Sequence, residues 1–551
     1  MTPKFNLVHD PWVLVLDADR QRHEVSLLTL FREASRWRGL AGEMPTQQVA
    51  LLRLLLAIVH RALRDDIYPD EALQRWGTWW SEGLPVDEIV AYLLRYEQRF
   101  ELFDEKCPFF QVAGLRTQKG STSGLTKLIA EIPDGDKFFT TRAGEGLDRI
   151  GAAEAARWLV HCQAYDPAGI KTGAVGDPRV KGGKGYPSGT GWCGSLGVVF
   201  AEGENLAETL LLNLVYEEPS PEGDRPAWER DELLTSAVDP WLVDPTRQRG
   251  PVELLAWQGR RLRLIPDDEG YVVDALVCYG DRAGLQNRHR DEAMAAWKRS
   301  PAQEKKGEYG PVVYMPVGHL PERAVWRGLG GLLAGRTSKR GAVEDAERLS
   351  PLLLQWLAKV TDEGYLGGDH PVVFHAVGVE YGSNDSVVSG LVDDVMSLRP
   401  AVLTDEVLRG AAMEAVAVTN DAVGDLRNFA HNLHRAAGGS SDGARERAGE
   451  RVWGVLDAPF REWLLELSTS TDVDEALTRW HRTADRILKQ VGAELIDSSA
   501  DKAWRGRDVG GRFVDAPIAE AWFRSALMKK LPRAYQVSAA GNNATSSKEA
   551  S

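Results

Sequence analysis

Apolar and polar residues alternate with period two at the start of the chain. WVLVLDADRQRHEVSL predicts two short strands around a polar turn, with a helix after them. The spacing then lengthens to that of a helix. Pro45 and Thr46 open one that runs to about residue 65, with Thr46 as the expected N-cap. ALQRWGTWW and VDEIVAYLLRYEQRF continue in helical register, and 116–148 is polar, glycine-punctuated and aperiodic. Helical spacing returns in GAAEAARWLVHCQAY at 151–165. Strand-like runs follow at 195–201, at 260–280 around an Asp-Glu-Gly turn, and at 371–383.

From about residue 400 the helical period dominates. Segments near 404–437, 444–469, 473–491 and 515–531 are broken at GGSSDG, at STSTD and at the Gly/Asp-rich 501–513, and no strand is expected between them. The pattern predicts an α+β chain: a large mixed α/β domain over 1–397 with long irregular loops, a C-terminal four-helix bundle over 398–536, and a disordered tail over 537–551. No internal repeat is evident.

Composition narrows the functional classes. The 551 residues have ample length for more than one core. Cys107, Cys162, Cys193 and Cys278 lie far apart without a CxxC pair, which argues against a zinc ribbon or disulfide framework and for reduced thiols. The opening MTPKFNLVHDPW lacks a basic start and apolar stretch, and LLRLLLAIVHRAL is interrupted by Arg53, His60 and Arg61. A soluble cytoplasmic protein with no membrane partner is the expectation. The net charge of −14 weighs against nucleic-acid binding, but it is uneven. Residues 216–233 hold seven acids and two arginines, whereas 282–290 holds three arginines and 521–533 (AWFRSALMKKLPR) four cations, both without an acid.

The densest local signal is 168–197, AGIKTGAVGDPRVKGGKGYPSGTGWCGSLG, with ten glycines in thirty residues and interleaved lysines. GTGWCG matches G-x-G-x-x-G, but a strand-like run follows it where a dinucleotide site needs a helix, and GGKGYPS fails as a Walker loop. Two readings stay open: a loose surface loop, or backbone that lies along a groove or phosphate chain. YGSNDSVVSG at 381–390 predicts a tight, polar, protruding turn after a strand, with a plain connection as the simpler reading. His431 and His434 are three apart on a helix without an evident third metal ligand. His370 and His375 have no partnered nucleophile, and Asp393 and Asp394 are adjacent rather than facing. No catalytic constellation is present in the sequence.

Taken in order, FNLVHDPWVLV, TQQVALLRLLLAIVHRAL, CPFFQV and LAETLLLNLV resemble the CasA family, the large subunits of the type I-E CRISPR surveillance complex Cascade, over nearly the whole chain. The resemblance implies a non-catalytic subunit without cofactor or metal. Its implied partners are the CRISPR RNA, double-stranded target DNA, the backbone and small subunits of the complex, and a helicase-nuclease. It also implies recognition of the short motif flanking the target (the PAM), and duplex opening that starts the R-loop. By the same resemblance Phe139, with Phe138 as the close alternative and Thr140 beside it, contacts the RNA 5′ handle. Ala168, Gly169, Ile170, Lys171, Thr172 and Gly173 form a glycine loop that approaches the PAM through the minor groove, extended here by Lys181, Gly182, Gly183 and Lys184. Ser383, Asn384 and Asp385 form a wedge, with asparagine where the family usually has glutamine. Arg282 is the implied basic PAM contact. Arg524, Lys529 and Lys530 are the implied bundle contacts with DNA. A purely structural assembly subunit and an enzyme binding a phosphorylated ligand are the alternatives.

Overall fold

The computed structural model describes residues 3–64, 71–132, 148–216, 223–230, 250–333, 346–439 and 442–536. Its contacts divide the chain into two compact units. The first comprises Met1–Val325, Gly331–Gly367 and Val372–Met396; the second comprises Trp326–Gly330, Gly368–Pro371 and Ser397–Ser551.

The first unit is α+β, built from small antiparallel sheets around one long buried helix. The opening alternation forms the strands Val13–Leu16 and Arg22–Val25, paired Val13 to Val25, with Gly39–Leu40 on the other side. The helix Pro45–Ala62 is the spine of the core, with Val49 and Leu54 to Val59 almost entirely buried. Its N-cap position is Met44, not Thr46. The Thr46 hydroxyl lies 2.9 Å from His161 Nε2 on the Ala152–Tyr165 helix, so it ties two helices together instead of capping one. Arg53, on the buried face, is neutralised by Glu292, with Nη1 and Nη2 each 2.9 Å from a carboxylate oxygen, and Trp192 Nε1 donates to the same carboxylate. A charge buried this deeply persists only when paired and hydrogen-bonded.

Two hairpins position the candidate site. Arg260–Pro266 pairs with Val272–Tyr279 across the expected turn, where Gly270 has φ +88°. Val372–Tyr381 pairs with Val198–Glu202 on one edge and Val388–Leu398 on the other. The last strand is not legible in the sequence, because VSGLVDDVMSL interrupts its apolar residues with two aspartates, two serines and a glycine.

The second unit is helical. Glu406–Ala436, Gly443–Glu466, Val473–Asp497 and Ala516–Lys530 answer to the four expected segments, and Asp405, Asp472 and Asp515 cap the first, third and fourth of them. Phe429 stacks on Phe523 at 4.9 Å, and Trp480 donates from Nε1 to the Thr419 hydroxyl at 2.9 Å. The 501–513 break is a correction to the strand-free expectation. It holds the short helix Asp501–Arg505 and a two-stranded hairpin, Arg507–Asp508 with Phe513–Val514. The tail 537–551 lies outside the described residues.

Candidate nucleic-acid interface

The Ala152–Tyr165 helix delivers the chain to Asp166, the centre of a buried ionic cluster. Lys171 Nζ lies 2.5 Å from its carboxylate, and Arg260 Nε donates to the same oxygen. Arg260 Nη2 also donates to the carbonyls of Asp166 (2.9 Å), Pro167 (3.3 Å) and Gly189 (2.9 Å). One guanidinium therefore ties the start of the glycine-rich segment to Gly189 further along it. The Tyr279 ring covers the cluster, 4.8 Å from the Arg260 guanidinium, and its hydroxyl lies 2.7 Å from the carbonyls of Ala168 and Gly169. Burial alone would raise the Asp166 carboxyl, but Lys171 and Arg260 outweigh it and hold it below its ordinary value. Burial lowers the Lys171 ammonium against the pull of Asp166.

Beyond the cluster the segment is folded rather than loose. Lys171–Thr172 pairs with Lys184–Gly185, and a two-residue turn joins Lys181 to Lys184 through reciprocal backbone bonds of 3.1 Å. Gly182 and Gly183, at φ +58° and +74°, supply the two left-handed positions that such a tight turn requires. Gly173 is needed for another reason: a Cβ there would come within 2.5 Å of Val180 and 3.0 Å of the Gly183 carbonyl. The cations divide accordingly. Lys171 is internal and committed to Asp166, and Arg179 is held by Asp177 at 2.8 Å. Lys181 and Lys184 are exposed at the turn and make no ion pair among the described residues. Of the lysines expected to face DNA, Lys171 is thus corrected to a structural role, and the two at the tip remain accessible.

The second element is the tip between Val372–Tyr381 and Val388–Leu398. Ser383, Asn384 and Asp385 are exposed there, and Asn384 and Asp385 both have left-handed backbone, φ +57° and +54°. Two successive non-glycine residues in that region are strained, held by the bond from the Gly382 amide to the Val387 carbonyl (2.8 Å) and from Asp385 to Gly382 (2.9 Å). The structure brings this tip to the glycine segment: the Ala168 amide donates to the Asp385 carbonyl at 2.7 Å, and a Cβ on Gly169 would lie 3.5 Å from the Ser386 carbonyl oxygen. Tyr381, the last residue of the strand that leads into the tip, donates from its hydroxyl to the Tyr165 carbonyl at 2.6 Å. A cleft runs beneath both elements, walled by Ile170, Val379, Val387 and Leu391.

The other expected residues fare differently. Phe138, Phe139 and Thr140 lie outside the described residues. Arg282 is half-buried beside Gly189, where a Cβ would sit 3.4 Å from its Nε, so it borders the glycine segment without joining the tip. On the bundle, Arg524 pairs with Glu520 at 2.6 Å and Lys530 with Asp421 at 2.8 Å, while Lys529 makes no ion pair among the described residues. The basic helix therefore carries less free charge than its sequence suggests. The glycines of GTGWCG serve close packing: a Cβ on Gly191 would meet the Ala164 backbone at 2.4 Å, and one on Gly194 the Tyr381 hydroxyl at 2.4 Å. The strand Val198–Glu202 follows them, as the sequence indicates. His431 lies 4.0 Å from Asp442, and His434 packs against Gly439. Sequence reasoning missed Asp166, Arg260 and Tyr279 as the positioning residues; Arg260 lies 94 residues from its partner, and nothing local signals the pairing.

Comparison with known proteins gives a consistent answer. The family model described as CRISPR-associated protein Cse1 matches residues 6–491. The Thermus thermophilus CRISPR-associated protein CasA/Cse1 is 27% identical over 515 residues, covering 91% of this chain and 89% of that protein. The crystal structure of Thermobifida fusca Cse1 is similar with a TM-score of 0.87 at 42% identity, covering 96% of this chain and 99% of that one. Cse1 from Acidimicrobium ferrooxidans gives 0.78 at 29% identity, with the same coverage.

Proposed function

The chain belongs to the CRISPR-associated Cse1 family, and on that premise we propose that it is the subunit that reads the PAM of duplex target DNA for an RNA-guided surveillance complex. In this role it has no catalytic step. The RNA guide reads the long target by base pairing, and the protein reads only the short flank and opens the first base pairs.

The observation that carries the reading is the 2.7 Å bond from Ala168 to Asp385, which couples the glycine segment to the strained polar tip. Lys181 and Lys184, exposed and without an ion pair among the described residues, would neutralise phosphate as backbone amides approach a groove. The Asn384 tip would enter beneath the PAM, and its fixed backbone offsets the few kcal/mol, on the order of one unstacked step, that opening costs. Minor-groove readout separates A·T from G·C and little else, so a tolerant PAM is expected. An aromatic of the 138–140 stretch would stack on the RNA handle, and the bundle would face the small subunits and the helicase-nuclease. The test is duplex binding by RNA-loaded complexes carrying Lys181→Gln/Lys184→Gln or Asn384→Ala. Both are expected to assemble normally and to bind a PAM-bearing duplex at least several-fold more weakly. Normal binding by both variants would refute the reading.

A further inference from the structure

The cleft beneath the glycine segment and the tip is large enough for one flat ring. Its free volume is about 120 Å³, close to the roughly 150 Å³ of a protein cavity that holds benzene. Leu128, Ile132, Val379, Val387 and Leu391 supply apolar walls, and Thr126 and Ile170, both exposed, mark where it opens to solvent. Protein interiors are packed without gaps of this size, because empty space forfeits contacts.

Two polar groups on its wall lack partners. His161 and Tyr165 stand one turn apart on the Ala152–Tyr165 helix, their ring centroids 5.4 Å apart, and both line the cleft. They are 3% and 2% exposed. His161 Nε2 is taken by the Thr46 hydroxyl at 2.9 Å, but His161 Nδ1 and the Tyr165 hydroxyl have no hydrogen-bond partner among the described residues. Burial keeps the His161 ring neutral, its pKa lowered to about 4. A buried polar group left unpaired is costly, so these two favour an occupant with its own donor and acceptor. Asp166 and Lys171 also line the cleft, and with Arg260 their cluster carries one negative and two positive charges, which favours an electron-rich edge.

We propose that this cleft is a binding pocket for a single pyrimidine base of the uracil or thymine type. Such a ring is flat and uncharged, its faces lie against the aliphatic walls, and its imide edge alternates carbonyl acceptors with one N–H donor. The Tyr165 hydroxyl donates to a carbonyl. His161 Nδ1 accepts from the N–H, while Nε2–H donates to Thr46. A purine, with two fused rings, exceeds the space, and a sugar or phosphate leaves the apolar walls unused. The base comes from a free nucleoside or from a pair opened at the tip, whose Ser386 and Val387 line the cleft. The second source rests on the reading that the tip opens duplex DNA; the first does not.

The test begins with calorimetric titration of the full chain by thymidine, uridine, adenosine and ribose. The two pyrimidine nucleosides bind, adenosine binds about tenfold more weakly or worse, and ribose does not bind. His161→Phe keeps a ring, removes its nitrogens and weakens thymidine about tenfold. Val387→Phe, on a half-buried wall, fills the cleft and abolishes binding, and its thermal midpoint checks that the fold is kept. The source is separated with RNA-loaded complexes carrying the wild-type or Val387→Phe chain. They are given PAM-bearing duplexes with thymine or an abasic site, in either strand, at the first pair beyond the flank. If the duplex supplies the base, Val387→Phe weakens binding of the thymine duplex and spares the abasic one. If a free nucleoside is the ligand, the two duplexes respond alike and thymidine still binds. The proposal is overturned if adenosine binds as tightly as thymidine, or if neither thymidine nor the thymine duplex responds specifically to Val387→Phe. Flank discrimination is scored separately, so its loss refutes the proposed function and leaves thymidine binding standing, and the reverse also holds.

Discussion

The backbone amide of Ala168 donates to the carbonyl of Asp385 at 2.7 Å, across 217 residues of sequence, and joins the glycine segment to the strained tip. Asp166, Lys171, Arg260 and Tyr279 hold the start of the glycine segment, and Arg260 ties it to Gly189 further along. Each element of that frame makes a measurable commitment.

The buried cluster holds two cations on one carboxylate. Asp166→Asn leaves Lys171 and Arg260 buried together without a counter-charge and should cost about 3–5 kcal/mol. Lys171→Met leaves the Asp166–Arg260 pair intact and should cost less, on the order of 1–2 kcal/mol. Urea unfolding of both variants checks the order.

Glycines of the same segment should respond in different ways. Gly191→Ala forces a methyl into the Ala164 backbone at 2.4 Å and should destabilise by about 1–3 kcal/mol or more. Gly182→Ala meets no atom within 4 Å and is strained only by its φ of +58°, about 1 kcal/mol. Thermal unfolding midpoints separate the two.

The tip separates strain from function. Asn384→Gly relieves a left-handed backbone and removes the side chain, so stability should hold or rise by up to about 1 kcal/mol while target-duplex binding falls. A variant that loses stability and binding together would show that Asn384 supports the fold instead.

Acid should destabilise the chain before its carboxylates titrate. Burial lowers His60 and His161 to about 4, and His289, helped by Arg290, to about 4 as well. The unfolded chain takes up these protons near 6.5, so it binds more protons than the folded one between pH 6.5 and about 4. Stability is therefore full above 6.5 and falls as the pH drops through that window, by about 3 kcal/mol for each fully buried histidine. Asp166, held low by its cations, adds its own loss at still lower pH. Urea midpoints at neutral pH and across the window test the slope; a flat profile would contradict it.

Local signals carried much of this architecture into the sequence. Alternation in WVLVLDADRQRHEVSL, the Asp-Glu-Gly turn and the four helical periods each map to an observed element, and GSNDS after a β-branched strand marks the tip. What was not legible depends on partners distant in the chain. Lys171 reads as a DNA-facing cation until Arg260 and Asp166 enclose it. The basic helix reads as a patch because Glu520 lies just outside the acid-free window, and Asp421 comes from another helix. Thr46 reads as a cap because His161, its actual partner, is 115 residues away. The hairpin at 507–514 has strands of two residues, too short to show a period.

The most direct test of the central claim is target-duplex binding by the RNA-loaded complex, reconstituted with and without this chain, on duplexes with a correct or scrambled flank. Tight binding only when both the chain and the correct flank are present is the predicted result. Binding that ignores the chain and the flank would contradict PAM reading and leave this protein a structural subunit.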